Sequence, residues 1–190
     1  MRNSAFTVVF DACVLYPAPL RDFLIRLSMT GVFRARWTDL IQDEWTRSVL
    51  MKRPELHSAL IRTRHLMEAA IPDCIVTGYE TLMGALALPD PNDTHVLAAA
   101  IRCGAGVIVT FNLRDFPAKV LNQYGIEAQH PDTFIDNLFD LHPAEVIEAA
   151  SKQRGNLKFP ALDADRYLDT LLRFGLTQTV KNLTGFKSVI

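Results

Sequence analysis

Short apolar runs alternate along the chain with longer stretches in which apolar positions recur every three or four residues. Thr7-Val8-Val9-Phe10 is β-branched and aromatic and ends at Asp11, the pattern of a buried central strand. A first helix is predicted from Pro19, which suits a first turn, to Gly31. Phe33 to Trp37 predicts a second strand and Asp39 to Lys52 a helix, after which Pro54 restarts the chain into another helix through Ala70. Cys74-Ile75-Val76 reads as a weak strand, followed by a short helix from Tyr79 to Leu86. Leu88-Pro89-Asp90-Pro91-Asn92 is a turn, and the helix after it, Asp93 to Cys103, is apolar on nearly every face. Such a helix is expected between two layers. Val107-Ile108-Val109-Thr110 is a second strongly strand-like run; a short helix over Lys119 to Tyr124, a strand over Ile126 to Gln129 and a helix from Pro131 to Asp140 follow.

Strands alternating with helices predict an α/β fold, a parallel sheet covered by helices on both sides. In such sheets ligands bind beyond the carboxyl ends of the strands. Past His142 the character changes. Pro143 to Gln153 predicts a helix, Gly155 to Pro160 a linker, and Leu162 to Phe174 an amphipathic helix closed by Gly175. This tail is expected to pack on the core or to serve a partner.

Composition narrows the function classes. The chain has 190 residues, 49% of them apolar, enough for a sizeable core without disulfides and too apolar for a disordered role. Twenty basic and 21 acidic residues leave a net charge of −1, which excludes a binder driven by bulk positive charge but not an enzyme with one local basic face. The three cysteines, Cys13, Cys74 and Cys103, are odd in number and show no metal-ligand spacing, as expected of small buried residues in a reducing compartment. Met1-Arg2-Asn3-Ser4 leads straight into the first strand without an apolar leader, and no run reaches membrane-spanning length. A cytoplasmic protein with no membrane partner is expected.

Four carboxylates stand out. Asp11 ends an apolar strand, where it is either a helix N-cap or a half-buried acid that needs a partner. Glu44 lies four after Leu40 and three after Ile41, on the apolar stripe Trp37, Leu40, Ile41, Trp45, Val49; it is a boundary residue with its head in water or an acid held inward. Asp43 and Arg47, four apart, are expected to form a solvated pair. Asp93 begins the most apolar helix, as N-cap or ligand, and Asp90 shares that task or supports it. Asp115 sits in Thr110-Phe111-Asn112-Leu113-Arg114-Asp115-Phe116-Pro117, a plain polar loop or a functional one. Converging carboxylates would repel one another and raise a pKa. Oxygen-only ligands suit Mg²⁺ or Mn²⁺, which can activate water and neutralise a phosphate.

These segments together resemble the PIN domain: Val8-Val9-Phe10-Asp11, Glu44 with Arg47, Asp93-Thr94-His95-Val96-Leu97-Ala98-Ala99-Ala100, and Val109 to Pro117. The stretch from Leu88 to Pro117 is the most specific part. The chain looks closest to VapC-type toxins with a C-terminal helical extension. The resemblance implies a PIN-like (Rossmann-like) parallel sheet flanked by helices over residues 1–140, with a helical extension over 141–190. It also implies an Mg²⁺- or Mn²⁺-dependent endoribonuclease, the toxin of a type II toxin–antitoxin system. Asp11, Asp93 and Asp115 would hold the metal, with Glu44 as a fourth acid that orients or deprotonates the attacking water, and Thr110 and Asn112 would bind a water or phosphate oxygen. In-line attack would leave a 5′-phosphate and a 3′-hydroxyl. Asn92 departs from similar proteins, which often carry an acid there. A cognate antitoxin is the implied protein partner, and homo-oligomers are common in the family.

An RNA substrate calls for a basic rim. Between Arg21 and Arg64 nine basic side chains (Arg21, Arg26, Arg34, Arg36, Arg47, Lys52, Arg53, Arg62, Arg64) face five acidic ones, a local excess of about four positive charges. Arg36, Arg47, Arg53 and, from the polar loop, Arg114 are the candidate RNA contacts; solvated helix faces account for single arginines equally well. Trp37 is a base-stacking or core residue, and His95 a phosphate contact or a packing residue. Cys13 is expected to have no catalytic role. Neither a nucleophile elbow nor a Gly-rich phosphate loop is present. Other readings are a response-regulator receiver, which would want adjacent acids at the first strand end, a metal-dependent phosphatase on small nucleotides, and a catalytically silent PIN-like module that binds a partner.

Overall fold

The computed structural model describes residues 6–158 and 160–190; the Met1–Ser4 segment and Phe159 lie outside the described residues. The first strand, β1 (Phe6–Phe10), leads through a one-turn helix, α1 (Ala12–Leu15), into α2 (Ala18–Met29) and then β2 (Phe33–Arg36). Next come α3 (Asp39–Lys52), a 3₁₀ turn at Pro54–Leu56, α4 (His57–Ala70) and the short α5 (Glu80–Met83). A 3₁₀ turn at Pro91–Asp93 delivers α6 (Thr94–Cys103), followed by β3 (Val107–Val109), α7 (Ala118–Leu121), a 3₁₀ turn at Asn122–Tyr124 and β4 (Glu127–Gln129). Four helices complete the chain: α8 (Pro131–Leu141), α9 (Pro143–Asn156), α10 (Ala164–Arg173) and α11 (Thr177–Thr184).

The sheet is wholly parallel, in the order β2-β1-β3-β4. The central strand carries Val8, Val9 and Phe10 with no exposed surface, as a strand covered on both faces requires. Phe6 pairs with Phe33 and Val8 with Ala35, so the same-face side chains Phe6, Phe10, Phe33 and Trp37 build an aromatic cluster that α8 closes with Phe134. On the other side α6 packs against β1 and β3 and is buried from Thr94 through Ala100. Gly104 ends α6 in the left-handed region at φ +65°, and Ala105 N–H returns to the Ala100 carbonyl at 2.9 Å, a Schellman-type stop.

The chain crosses from β1 to β2 on one side and later returns to β3 on the other side of β1. A crevice therefore opens beyond the carboxyl ends of β1 and β3, where the connections diverge. Asp11 and Thr110 are the first residues past those two ends.

The expected α/β architecture is present, with local departures. Cys74–Val76 is not a strand; a single bridge joins Ile75 to Trp37 at the β2 edge. The helix expected over Tyr79–Leu86 covers only Glu80–Met83. The linker expected from Gly155 starts later, because α9 continues to Asn156. The tail packs on the core: α9 lies against α2 and α8, and α11 against α8. Val146, Ala149, Leu168, Leu171 and Leu183 join the same buried cluster as the sheet. Asp132 of α8 caps α11, accepting from Gln178 N at 2.9 Å and from Thr179 N and Oγ1 at 2.9 and 2.8 Å.

Candidate active site

Asp11 sits at the N-cap position of α1, but its side chain makes no capping bond. It is 4% exposed. Its Oδ2 instead accepts from Thr110 Oγ1 at 2.7 Å and from the Cys13 thiol at 3.0 Å. Backbone pairing fixes both ends of this arrangement: Asp11 N donates to the Val109 carbonyl at 3.1 Å, and Thr110 N to the Gln129 carbonyl at 3.0 Å. Thr110 Oγ1 also accepts from Asn112 N at 2.9 Å, and Asp115 N returns to the Asn112 carbonyl at 3.0 Å. Buried Phe116 pins the far end of that loop. The loop is thus ordered by the same hydroxyl that holds Asp11.

Asp93 likewise occupies an N-cap position without capping; the capping in this turn is done by Asp90, which accepts from Asn92 N at 2.9 Å. Burial foremost, then the charges of Asp11, Asp90 and Asp115, push the Asp93 carboxyl up to about 6, with His95 opposing them. That shift places Asp11, Asp90 and Asp115 within electrostatic reach of one carboxyl. Among the described residues none of these four acids forms a salt bridge.

Glu44 stands slightly apart. Its Oε1 lies 3.0 Å from His95 Nε2, out of hydrogen-bond alignment, so that both nitrogens of the 2%-exposed imidazole lack a hydrogen-bond partner among the described residues. The approach joins a residue of α3 to one at the start of α6, which no sequence spacing reveals. His95 is accordingly a buried residue and not a surface phosphate contact. Asp43 does not pair with Arg47; it takes Arg64 of α4 at 2.6 Å, a partner that only tertiary packing supplies.

Among the described residues no group of three or more His, Cys, Asp or Glu side chains is drawn together as a ready metal site. The acids nevertheless suit a hard dication: their donors are all oxygens, they repel one another, and among the described residues nothing hydrogen-bonds to Asp11 Oδ1 while Oδ2 is held.

The basic group divides. Arg21 turns inward, donating to the Leu15 carbonyl at 2.6 Å and lying 4.3 Å over the Trp45 ring. Arg26 pairs with Asp22, Arg53 with Glu55, and Arg64 with Asp43. The charge of Arg36 is felt by the Cys74 and Cys103 thiols, Cys103 being the last residue of α6, at the opposite end from Asp93. Arg47 and Arg114 are exposed and without salt bridges among the described residues. Trp37 is fully buried against Phe10, a core residue rather than a stacking platform. Sequence reasoning assigned Cys13 nothing, yet it touches both Asp11 and Thr110; its place two residues after the strand-end acid was the available signal.

Residues 7–114, more than half of the chain, match the family model described as PIN domain. The chain belongs to the PIN-domain family. Residues 131–185 match a second model, described as the VapC50 C-terminal domain. A Mycobacterium tuberculosis (strain ATCC 25618 / H37Rv) protein named "Putative ribonuclease VapC50" is 48% identical over 65 residues, 34% of this chain and 38% of that protein. The match thus spans well under half of the relative. No solved structure matches this chain. The acids of the crevice, Asp11 and Asp93, both fall inside the matched PIN segment, and Asp115 immediately follows it.

Proposed function

We propose that this protein is an Mg²⁺- or Mn²⁺-dependent endoribonuclease, the toxin of a type II toxin–antitoxin pair, acting in the cytoplasm. In this reading residues 1–140 are the catalytic domain and 141–190 a helical extension. The observation that carries it is the unneutralised acidic crevice, with Asp93 held near pKa 6 by burial and by Asp11, Asp90 and Asp115. Family membership and the name of the mycobacterial relative support RNA as the polymer cut. Among the described residues no helix is long and apolar enough to cross a membrane.

Asp11, Asp93 and Asp115 would hold the ion. When bound, it supplies acidity to a coordinated water and neutralises charge on the scissile phosphate. Thr110 holds Asp11 through Oδ2 and leaves Oδ1 for the ion. Glu44 orients the attacking water and receives its proton. Asn112, exposed at the crevice rim, donates its side-chain amide to a phosphate oxygen. Arg47 and Arg114 offer positive charge to neighbouring phosphates, and a basic or arginine-bearing segment of an antitoxin would compete for the same acids.

The test is cleavage of RNA by the purified full chain. Cutting is expected only with Mg²⁺ or Mn²⁺, stops with EDTA, and is abolished by Asp11→Asn and by Asp93→Asn in protein that still folds. Cutting that survives EDTA, or equal cutting by both variants, refutes the assignment. Hydrolysis of nucleoside monophosphates with RNA left intact would identify a phosphatase instead.

A further inference from the structure

The thiol of Cys13 lies inside the acidic site, and neither the family match nor the expected acids give it a task. It makes three polar contacts. Its Sγ donates to Asp11 Oδ2 at 3.0 Å, lies 3.4 Å from Thr110 Oγ1, and accepts from Phe111 N at 3.2 Å. The first contact belongs to the end of β1, the last to the second residue of the loop after β3. That loop carries Asn112 and Asp115, so one sulfur ties the carboxylate of Asp11 to the backbone of the loop that leads to Asp115, across 98 residues of chain.

From these contacts we infer that Cys13 is a positioning residue, which fixes Asp11 and the start of the 111–117 loop in the arrangement that receives the divalent cation. This rests on the metal-dependent reading above. Two donors on Oδ2, the Thr110 hydroxyl and the thiol, orient the carboxylate and leave Oδ1 to a ligand; hydrogen bonds of this kind to a metal-binding carboxylate govern affinity as well as geometry. A serine keeps both roles, donor to Asp11 and acceptor from Phe111; an alanine keeps neither.

The experiment compares the full-length wild type, Cys13→Ser, Cys13→Ala and Asp11→Asn. Mn²⁺ binding is read by electron paramagnetic resonance, and exchange of the Phe111 amide by NMR without metal. Melting curves confirm that each variant folds. Cys13→Ala is expected to weaken Mn²⁺ binding by at least about tenfold and to accelerate Phe111 exchange, while Cys13→Ser restores most of both. If Cys13→Ala binds Mn²⁺ as the wild type does while Asp11→Asn does not, the positioning role is overturned and the metal reading stands. Unchanged Phe111 exchange in Cys13→Ala likewise overturns the tie between the two segments. A wild type that binds no Mn²⁺ overturns both the role and the reading beneath it. Should Cys13→Ala not fold, the serine variant decides: loss of Mn²⁺ binding in folded Cys13→Ser refutes a hydrogen-bonding role.

Discussion

Replacing Asp93 by Asn should make the metal-free protein more stable at neutral pH. In the folded chain the Asp93 carboxyl is raised from an ordinary value of 3.8 to about 6. An acid whose pKa is higher folded than unfolded adds stability below its unfolded pKa and loses it as pH rises through the folded one. The charged form therefore costs nothing below about pH 4, a growing amount between about pH 4 and 6, and its full amount above. At about 1.4 kcal/mol per unit the shift has a ceiling of about 3 kcal/mol. Asp93 is only half-buried, and solvent screening reduces this to roughly 1–1.5 kcal/mol. Asparagine matches the shape and removes the charge. For a chain of this size the gain is about 3–5 °C in Tm, measured by circular dichroism in EDTA at pH 7.5. The same comparison at pH 4 should show no difference. A variant that melts below the wild type at pH 7.5, or whose advantage persists at pH 4, refutes the picture of crowded, unneutralised acids.

Two further outcomes test the scaffold. Asp132→Ala removes three bonds to the start of α11 and should cost about 2–4 kcal/mol, read as a lower urea midpoint with α10–α11 becoming sensitive to proteolysis; protection unchanged from wild type would deny Asp132 its capping role. Gly104→Ala places a Cβ on a left-handed residue at φ +65° and should cost about 1 kcal/mol, read in the same urea titration.

Local signals carried much of the architecture. The strand Thr7–Phe10, the helix Asp39–Lys52 and the buried helix after Asp93 were legible because each depends on its own periodicity and on turn residues beside it. Asp11 and Asp115 stood out together because a parallel sheet brings its strand ends to one side, and Asp93 because it precedes the buried helix. What escaped was set by distant partners. Helix α11, Thr177–Thr184, has a polar and β-branched sequence, and its N-terminus is satisfied by Asp132, 46 to 47 residues away. Asp43 prefers Arg64, from another helix, to its neighbour Arg47. Glu44 meets His95, 51 residues along the chain, only through the tertiary fold. Cys74–Val76 has strand-forming residues, but forms only one bridge, at the sheet edge.

The way the tail is joined has a consequence for how the molecule can be divided. Gln153 of α9 donates to the Pro19 carbonyl in the first turn of α2 at 2.8 Å and accepts from the Tyr167 hydroxyl at 2.8 Å. One amide thus fastens two tail helices to α2, the second helix after the acidic strand end. Severing the chain after α8 would strip α2 of this cover and bare Val146-facing apolar surface to water. A fragment carrying every crevice acid would then be short of its own interior wall, so the acid-bearing part and the tail helices are separable in the sequence but interlocked as solid matter.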